Sequence, residues 1–145
     1  MSSRRIITRM DPRLFTNDME TLRDLSCCIC LFIPRWAVVP VHCTHLHCMQ
    51  CMLQLLSRRI YDCPCCRQYS AGMRMIDGSI ENRFNLLRYR CSHCGQGFHG
   101  SLINVHERAC MERPCRCPLV ECCWRGVMRD QNRHMTQCHS RSSSA

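Results

Sequence analysis

The sequence contains no lysine, and all 20 of its basic residues are arginines. Aromatic residues make up only 6% of the 145 residues, which is too few for one sizeable hydrophobic core. No stretch approaches the roughly 18 consecutive apolar residues that a membrane-spanning helix needs. The first residues, MSSRRIITRMDPRLF, lack the apolar run of a signal peptide. We therefore expect a protein without membrane contact, in the cytoplasm, the nucleus or both.

Cysteine, in contrast, is abundant, with 17 residues. In a secreted chain this number would predict a disulfide scaffold, but in a reducing compartment it favours metal binding. Bound zinc would then replace the missing hydrophobic core.

Eight residues between positions 27 and 66 have the spacing of paired zinc ligands. Two thiolates separated by two residues can take adjacent corners of one tetrahedron, so each Cys-x-x-Cys pair is half of a zinc site, and the pair of cysteine and histidine completes the series. The four pairs are Cys27 and Cys30, Cys43 and His45, Cys48 and Cys51, and Cys63 and Cys66. They predict two zinc ions, held either by consecutive or by interleaved pairs.

An internal repeat follows this block. Its first copy comprises Cys91, Cys94, His106 and Cys110, and its second comprises Cys117, Cys122, His134 and Cys138. The last three ligands of the two copies are offset by the same 28 residues, which indicates two copies of one structural unit. Each copy should carry two cysteines on a hairpin and its histidine and last cysteine on a helix, near 102–110 and 129–138. We predict one zinc ion in each, with His139 as the one realistic substitute ligand.

The block 27–66 resembles the RING domain of ubiquitin ligases at all eight ligand positions. The resemblance implies a cross-brace, in which one zinc is held by Cys27, Cys30, Cys48 and Cys51 and the other by Cys43, His45, Cys63 and Cys66. The two later units resemble TRAF-type and seven-in-absentia zinc fingers, and Cys122–Gly126 is similar to a CxWxG segment of the latter. The implied fold is a small zinc-stabilised α+β protein, with a cross-brace RING followed by two fingers of three cysteines and one histidine each.

The predicted organisation has six segments. They are a flexible arm (1–22) containing Arg4, Arg5, Arg9 and Arg13, the RING (23–70), a linker with a short helix (71–90), two fingers (91–112 and 113–139) and a disordered tail (140–145). In the linker, Ile80, Phe84 and Leu87 form one apolar helical face, which we expect to pack on a neighbouring unit. Seven-in-absentia and TRAF proteins continue into a β-sandwich, whereas this sequence stops at Ala145, so we carry over neither substrate choice nor dimerisation.

The resemblance implies a RING-type ubiquitin transferase that forms no covalent ubiquitin intermediate, because a RING has no nucleophile. Its partners would be a ubiquitin-conjugating enzyme, ubiquitin and a substrate held by the fingers, and RING dimerisation is allowed. Ile29, Leu55 and Pro64 would form the groove for the conjugating enzyme, with Trp36 at its rim. Arg67 matches the linchpin that hydrogen-bonds both the enzyme and ubiquitin.

Two other functions remain open. The chain could be a non-enzymatic adaptor or decoy that pairs with another ligase. Nucleic-acid binding ranks third, because four zinc sites would lower the formal charge of +9 to about +4. The finger helices also lack a clear row of base-reading side chains, although Arg129, Asn132 and Arg133 are available.

Four cysteines have no partner in this assignment: Cys28, Cys65, Cys115 and Cys123. We interpret them as spare side chains beside the metal sites, and His47 as a packed ring. The absence of lysine predicts a ligase that resists its own modification, because only the Met1 amine would be available. A genomic bias toward arginine codons is the alternative explanation.

Overall fold

The computed structural model describes residues 9–139. The RING is built on a three-stranded antiparallel sheet. Its central strand β3 (Ala37–Pro40) is buried along its whole length and pairs with β4 (His47–Cys48) on one side. Helix α2 (Met49–Ser57) follows β4 directly. The third strand, β5 (Met73–Met75), lies beyond the predicted end of the RING at residue 70. The first part of the linker therefore completes the RING sheet.

The prediction of a flexible arm is wrong for residues 9–22. Strand β1 (Arg9–Met10) pairs with β2 (Ile33–Pro34) of the RING, and α1 (Met19–Asp24) follows a 3-10 turn at Pro12–Leu14. Asp18 caps α1, since its Oδ1 accepts a hydrogen bond from the Thr21 N–H at 2.7 Å. Three apolar side chains of this segment are buried, namely Met10, Phe15 and Leu22. They are too widely spaced to form a periodic pattern. Arg4 and Arg5, and the predicted tail 140–145, lie outside the described residues.

The linker helix is α3 (Gly78–Leu86), which begins after the capping residue Asp77. Ile80 and Phe84 pack against the core, and Leu87 just beyond the helix is fully buried. The apolar face of the linker therefore packs on the adjoining units, as the sequence indicates.

Each finger is a hairpin followed by a helix. In finger 1, β6 (Arg88–Arg90) pairs with β7 (Gly97–His99), and α4 (Ile103–Ala109) follows a 3-10 turn. In finger 2, β8 (Pro114–Arg116) pairs with β9 (Arg125–Val127), and α5 (Met128–His139) follows directly. The helices begin and end within one residue of the predicted bounds. The predicted α+β class, a RING followed by two fingers, is confirmed.

One hydrophobic cluster joins the N-terminal segment, the RING and finger 1. Phe15 meets Tyr89 of β6 edge to face, with ring centroids 5.6 Å apart. The buried members are Met10, Phe15, Leu22, Leu25, Ile33, Ala37, Val39, Leu46, Leu87, Tyr89, Cys91, Ile103 and Cys110. Finger 2 adds none of its described residues to this cluster, so its stability depends more heavily on its Cys/His group. Within residues 9–139, no helix is both long and apolar enough to cross a bilayer.

Candidate metal centres

The first group lies where the RING's opening turn meets the start of α2. It comprises Cys27, Cys30, Cys48 and Cys51, whose sulfur atoms all lie within 4.8 Å of one another. Cys48 ends β4 and Cys51 is in the first turn of α2. Three of the four residues are buried. The group joins the first and third ligand pairs of the sequence.

The second group joins the second and fourth pairs, Cys43, His45, Cys63 and Cys66. His45 faces the group with Nδ1, which lies 3.7 Å from the Cys63 sulfur. The pairs are therefore interleaved, and the alternative of consecutive pairing is excluded by the geometry. Interleaving ties the two ends of the RING together, because each centre draws its ligands from segments that are distant in sequence.

Three cysteine pairs share one tight turn. In each, the N–H four residues after the first cysteine donates to that cysteine's carbonyl oxygen: Leu31 to Cys27 at 2.8 Å, Arg67 to Cys63 at 2.7 Å, and Gly95 to Cys91 at 2.9 Å. The donor residues have φ angles of 61°, 59° and 73°, respectively. Left-handed backbone costs a non-glycine residue about 1–2 kcal/mol. The turn directs both thiols of a pair toward one metal position. This explains why Leu31 and Arg67 adopt left-handed backbone in spite of its cost.

In finger 1 the structure brings together the four predicted residues, Cys91, Cys94, His106 and Cys110. The sulfur of Cys94 lies 3.4 Å from Nε2 of His106. The ring of Phe98 packs on the His106 ring with centroids 3.9 Å apart, which fixes the orientation of the imidazole. Cys110 follows the end of α4 with an extended backbone, so its side chain can turn back toward the group.

Finger 2 departs from the predicted set at one position. The group is Cys117, Cys122, His134 and His139, and Cys138 is an exposed residue outside it. Unlike the finger 1 helix, α5 continues through Cys138, so this cysteine keeps a helical backbone and does not join the group. The longer imidazole of His139 reaches the group instead, with Nε2 3.6 Å from the Cys117 sulfur. Finger 2 therefore has two cysteines and two histidines. A zinc site with these ligands would have no net charge, whereas a site with three cysteines would be negatively charged.

The separations of the donor atoms fit a tetrahedral zinc ion. With Zn–S bonds of about 2.3 Å, two sulfur ligands lie about 3.8 Å apart. The measured separations are 3.7 Å for Cys30 and Cys48 and 3.9 Å for Cys91 and Cys110. In finger 2 the Nε2 atoms of His134 and His139 are 3.2 Å apart, close to the roughly 3.4 Å that two histidine ligands need. All four groups could hold a metal ion.

Electrostatics also favours a cation at these positions. Burial, and then the negative charge of the neighbouring Cys27 thiolate, raises the pKa of Cys51 to about 12. Burial likewise raises the pKa of Cys43 to about 11. Thiols crowded in this way cannot all ionise near neutral pH without a positive charge among them. A divalent cation would supply that charge.

Comparisons with known proteins add an evolutionary relationship. No family model matches the chain. The chain is 30% identical over 128 residues to E3 ubiquitin-protein ligase siah-1 of Caenorhabditis briggsae, a match that covers 83% of this chain and 27% of that protein. It is 27% identical to E3 ubiquitin-protein ligase sina of Schistosoma mansoni (84% of this chain, 32% of that protein) and to putative E3 ubiquitin-protein ligase SINA-like 6 of Arabidopsis thaliana (88% and 44%). These three relatives are ubiquitin ligases, one of them putative, of the seven-in-absentia type. It spans between 27% and 44% of the length of these three relatives.

Five RING residues outside the metal groups were predicted, from the RING resemblance, to lie at the surface that contacts a conjugating enzyme. Ile29 and Pro64 lie inside ligand pairs and are exposed, and Leu55 on α2 is half-buried. Trp36 is 44% exposed. Arg67 is exposed, and its backbone N–H closes the turn at Cys63. All five side chains retain accessible surface from which a partner could be contacted.

Sequence reasoning missed a fifth group. Cys28, His47 and Cys65, interpreted as spare cysteines and a packed ring, place their donor atoms within 4.8 Å of one another. The only signal in the sequence was that each residue is adjacent to a predicted ligand. Cys115 and Cys123 lie in none of these groups.

Proposed function

We propose that the chain is a RING-type ubiquitin ligase that binds a ubiquitin-charged conjugating enzyme and promotes ubiquitin transfer to a substrate lysine. The observation that carries the proposal is the interleaved pair of four-ligand groups in the RING, combined with homology to ubiquitin ligases. In the alternative function, that of a non-enzymatic adaptor or decoy, the same fold would bind partners without accelerating ubiquitin transfer.

The ions in the four groups are zinc in this proposal. Sets of cysteine and histidine in tetrahedral arrangement are the donors that structural zinc sites use, and full sets of four protein ligands leave no position for substrate. Zinc would therefore supply rigidity and no chemical step. It would fix the two RING turns that carry Ile29 and Pro64, in a unit with few large apolar side chains.

The RING would act by positioning. The reacting thioester belongs to the conjugating enzyme, and no residue of this chain attacks it. Ile29, Leu55 and Pro64 provide apolar surface for that enzyme, and Arg67 offers a planar guanidinium able to donate to two acceptors at once. Holding the thioester-linked ubiquitin in one orientation reduces the entropy lost on reaching the attack geometry.

The fingers are the proposed substrate-facing part. Finger 2 contributes no described residue to the hydrophobic cluster, and its loop exposes Leu119 and Val120, whose relative exposures are 45% and 101%. An exposed apolar loop at the end of the chain opposite the RING is suited to contact another protein.

A discharge assay tests the ligase proposal. A conjugating enzyme charged with ubiquitin is mixed with free lysine, with or without the zinc-loaded chain, and loss of the thioester is followed over time. We expect the chain to accelerate discharge and Arg67→Ala to slow it by about tenfold or more, because charge-assisted hydrogen bonds contribute about 1.5–3 kcal/mol.

The matched control is Arg108→Ala, which removes another exposed arginine from α4 of finger 1. It should discharge as fast as the wild type. Binding of the conjugating enzyme without faster discharge, and with no effect of Arg67→Ala, would favour the adaptor.

A further inference from the structure

Three donor residues outside the four groups converge within the RING. Cys28, His47 and Cys65 come from three different segments, and their donor atoms all lie within 4.8 Å of one another. Each is next to a residue of the other two RING groups: Cys28 follows Cys27, His47 precedes Cys48, and Cys65 precedes Cys66. The trio therefore lies between the first and second centres. The backbone at Cys28 is held by its N–H, which donates to the Leu46 carbonyl at 3.1 Å.

His47 is an unusual residue for a packed ring. It has no exposed surface, and among residues 9–139 its Nδ1 atom has no hydrogen-bond partner. Its Nε2 lies 3.7 Å from the sulfur of Cys63, a member of the second centre. Buried polar atoms are normally paired, so an imidazole that is buried and incompletely paired beside two free thiols points to a ligand.

We propose that Cys28, His47 and Cys65 bind a fifth metal ion, a divalent cation of the zinc class. Two thiolates and one imidazole are soft to borderline donors, which suit Zn²⁺ and not Mg²⁺ or Ca²⁺. Both thiols give up their protons when the ion binds.

This ion would differ from the other four. Three protein ligands leave the fourth corner of the tetrahedron open to water, and both Cys28 and Cys65 are exposed at the surface. The ion should therefore be held more weakly and exchange faster than the ions with four protein ligands.

The location gives the ion a structural consequence. Cys28 is followed by Ile29, and Cys65 is preceded by Pro64, so the ion would link the two turns that carry the conjugating-enzyme contacts. This consequence rests on the proposed function. The existence of the ion does not, and it is tested without any ubiquitin reaction.

The first test counts ions. The full chain is loaded with zinc under reducing conditions, freed of excess metal by gel filtration, and measured by inductively coupled plasma mass spectrometry against amino-acid analysis. We expect one zinc per chain more than the four-ligand centres account for. Cys28→Ser and Cys65→Ser should each lose one ion, whereas the matched control Cys123→Ser, another exposed cysteine outside all groups, should lose none. Four ions in the wild type, or equal counts in Cys28→Ser and Cys123→Ser, would overturn the proposal.

The second test uses the wild type alone and does not depend on how the variants fold. Alkylation with iodoacetamide is followed by peptide mass spectrometry with and without a mild chelator. Cys28 and Cys65 should be alkylated slowly in the zinc-loaded chain. As chelator is added, their alkylation should speed up before that of the cysteines in the four-ligand centres, while Cys123 is alkylated fast throughout. If Cys28 and Cys65 alkylate as fast as Cys123 with zinc present, or are found joined in a disulfide, there is no fifth ion.

Discussion

The guanidinium of Arg35 in the RING donates hydrogen bonds to both carboxylate oxygens of Glu107 in finger 1. One guanidinium nitrogen, Nη2, lies 2.5 Å from each Glu107 carboxylate oxygen, while Nη1 donates to the Asn104 Oδ1 at 2.6 Å. The Tyr89 hydroxyl reaches the same carboxylate at 3.3 Å. Burial, and then the negative charge of Glu107, raises the pKa of Tyr89 to about 12, so the hydroxyl stays protonated and able to donate. This network fixes finger 1 against the RING.

We predict that Arg35→Ala lowers the free energy of unfolding by about 2 kcal/mol, because it leaves Glu107 half-buried without its cation. The Arg35 and Glu107 side chains are only 12% and 27% exposed. Chemical denaturation at fixed free zinc measures the change. Arg83→Ala is the matched control, since its 3.0 Å pair with Asp24 is about half exposed and should matter by about 0.5 kcal/mol or less. Equal losses in the two variants would contradict a structural role for the Arg35 network.

A second prediction concerns the close approach of finger 1 to the linker helix. A Cβ atom at Gly100 would overlap the carbonyl oxygen of Phe84, and the Gly100 N–H already donates to the Leu87 carbonyl at 2.7 Å. Gly100→Ala must push α3 away and should cost about 1–3 kcal/mol. Gly78→Ala offers the matched control, because nothing lies within 4 Å of its added Cβ. Thermal unfolding should show a lower midpoint for Gly100→Ala and an unchanged or higher one for Gly78→Ala.

The ligand set of finger 2 is testable by paired substitutions at adjacent positions. We expect His139→Ala to bind one metal ion fewer than the wild type and Cys138→Ala to bind the full number. Replacing zinc with cobalt adds a spectroscopic measurement, because the intensity of sulfur-to-metal charge transfer grows with the number of thiolate ligands. The intensity contributed by finger 2 should correspond to two thiolate ligands, and Cys138→Ala should leave this intensity unchanged. If Cys138→Ala loses an ion and His139→Ala loses none, finger 2 uses the originally predicted ligand set with three cysteines.

The absence of lysine leads to a prediction that depends on ligase activity. In a reaction with conjugating enzyme and ubiquitin, the wild-type chain should acquire no ubiquitin at internal positions, because it has no internal amine. Arg108→Lys places one amine on an exposed position of α4 and should become modified, as measured by mass spectrometry. In cells, the half-lives of the wild type and of Arg67→Ala should then be similar, since Arg67 belongs to none of the metal groups. A half-life that depends strongly on the chain's own RING would refute the idea that it resists self-modification.

Local spacing explains what could be predicted. The pairs of ligands in the RING and finger 1 lie within a few residues of each other, and turn or helix geometry alone brings such residues to one point. The helices α4 and α5 follow from the same spacing. In finger 2 the structure groups His139, named from the sequence as the substitute ligand, in place of Cys138. The choice between these adjacent residues depends on where the helix ends, and α5 has no signal in its sequence that ends it before Cys138.

The packing of the N-terminal segment could not be predicted for a different reason. Met10, Phe15 and Leu22 contact residues that are distant in sequence, and three apolar residues at irregular spacing form no periodic pattern. Arg35 and Glu107 are likewise 72 residues apart and resemble ordinary surface charges in the sequence.

The sequence by itself determined the identity of nearly every candidate metal ligand and the division into a RING and two repeated fingers, because ligand spacing and repeats are local properties of the chain. Only the tertiary structure decided which pairs share a centre, which residue completes finger 2, and how finger 1 is held against the RING. The same holds for the convergence of Cys28, His47 and Cys65. These features depend on segments far apart in the chain meeting in space, and their positions follow from the packing of the whole molecule.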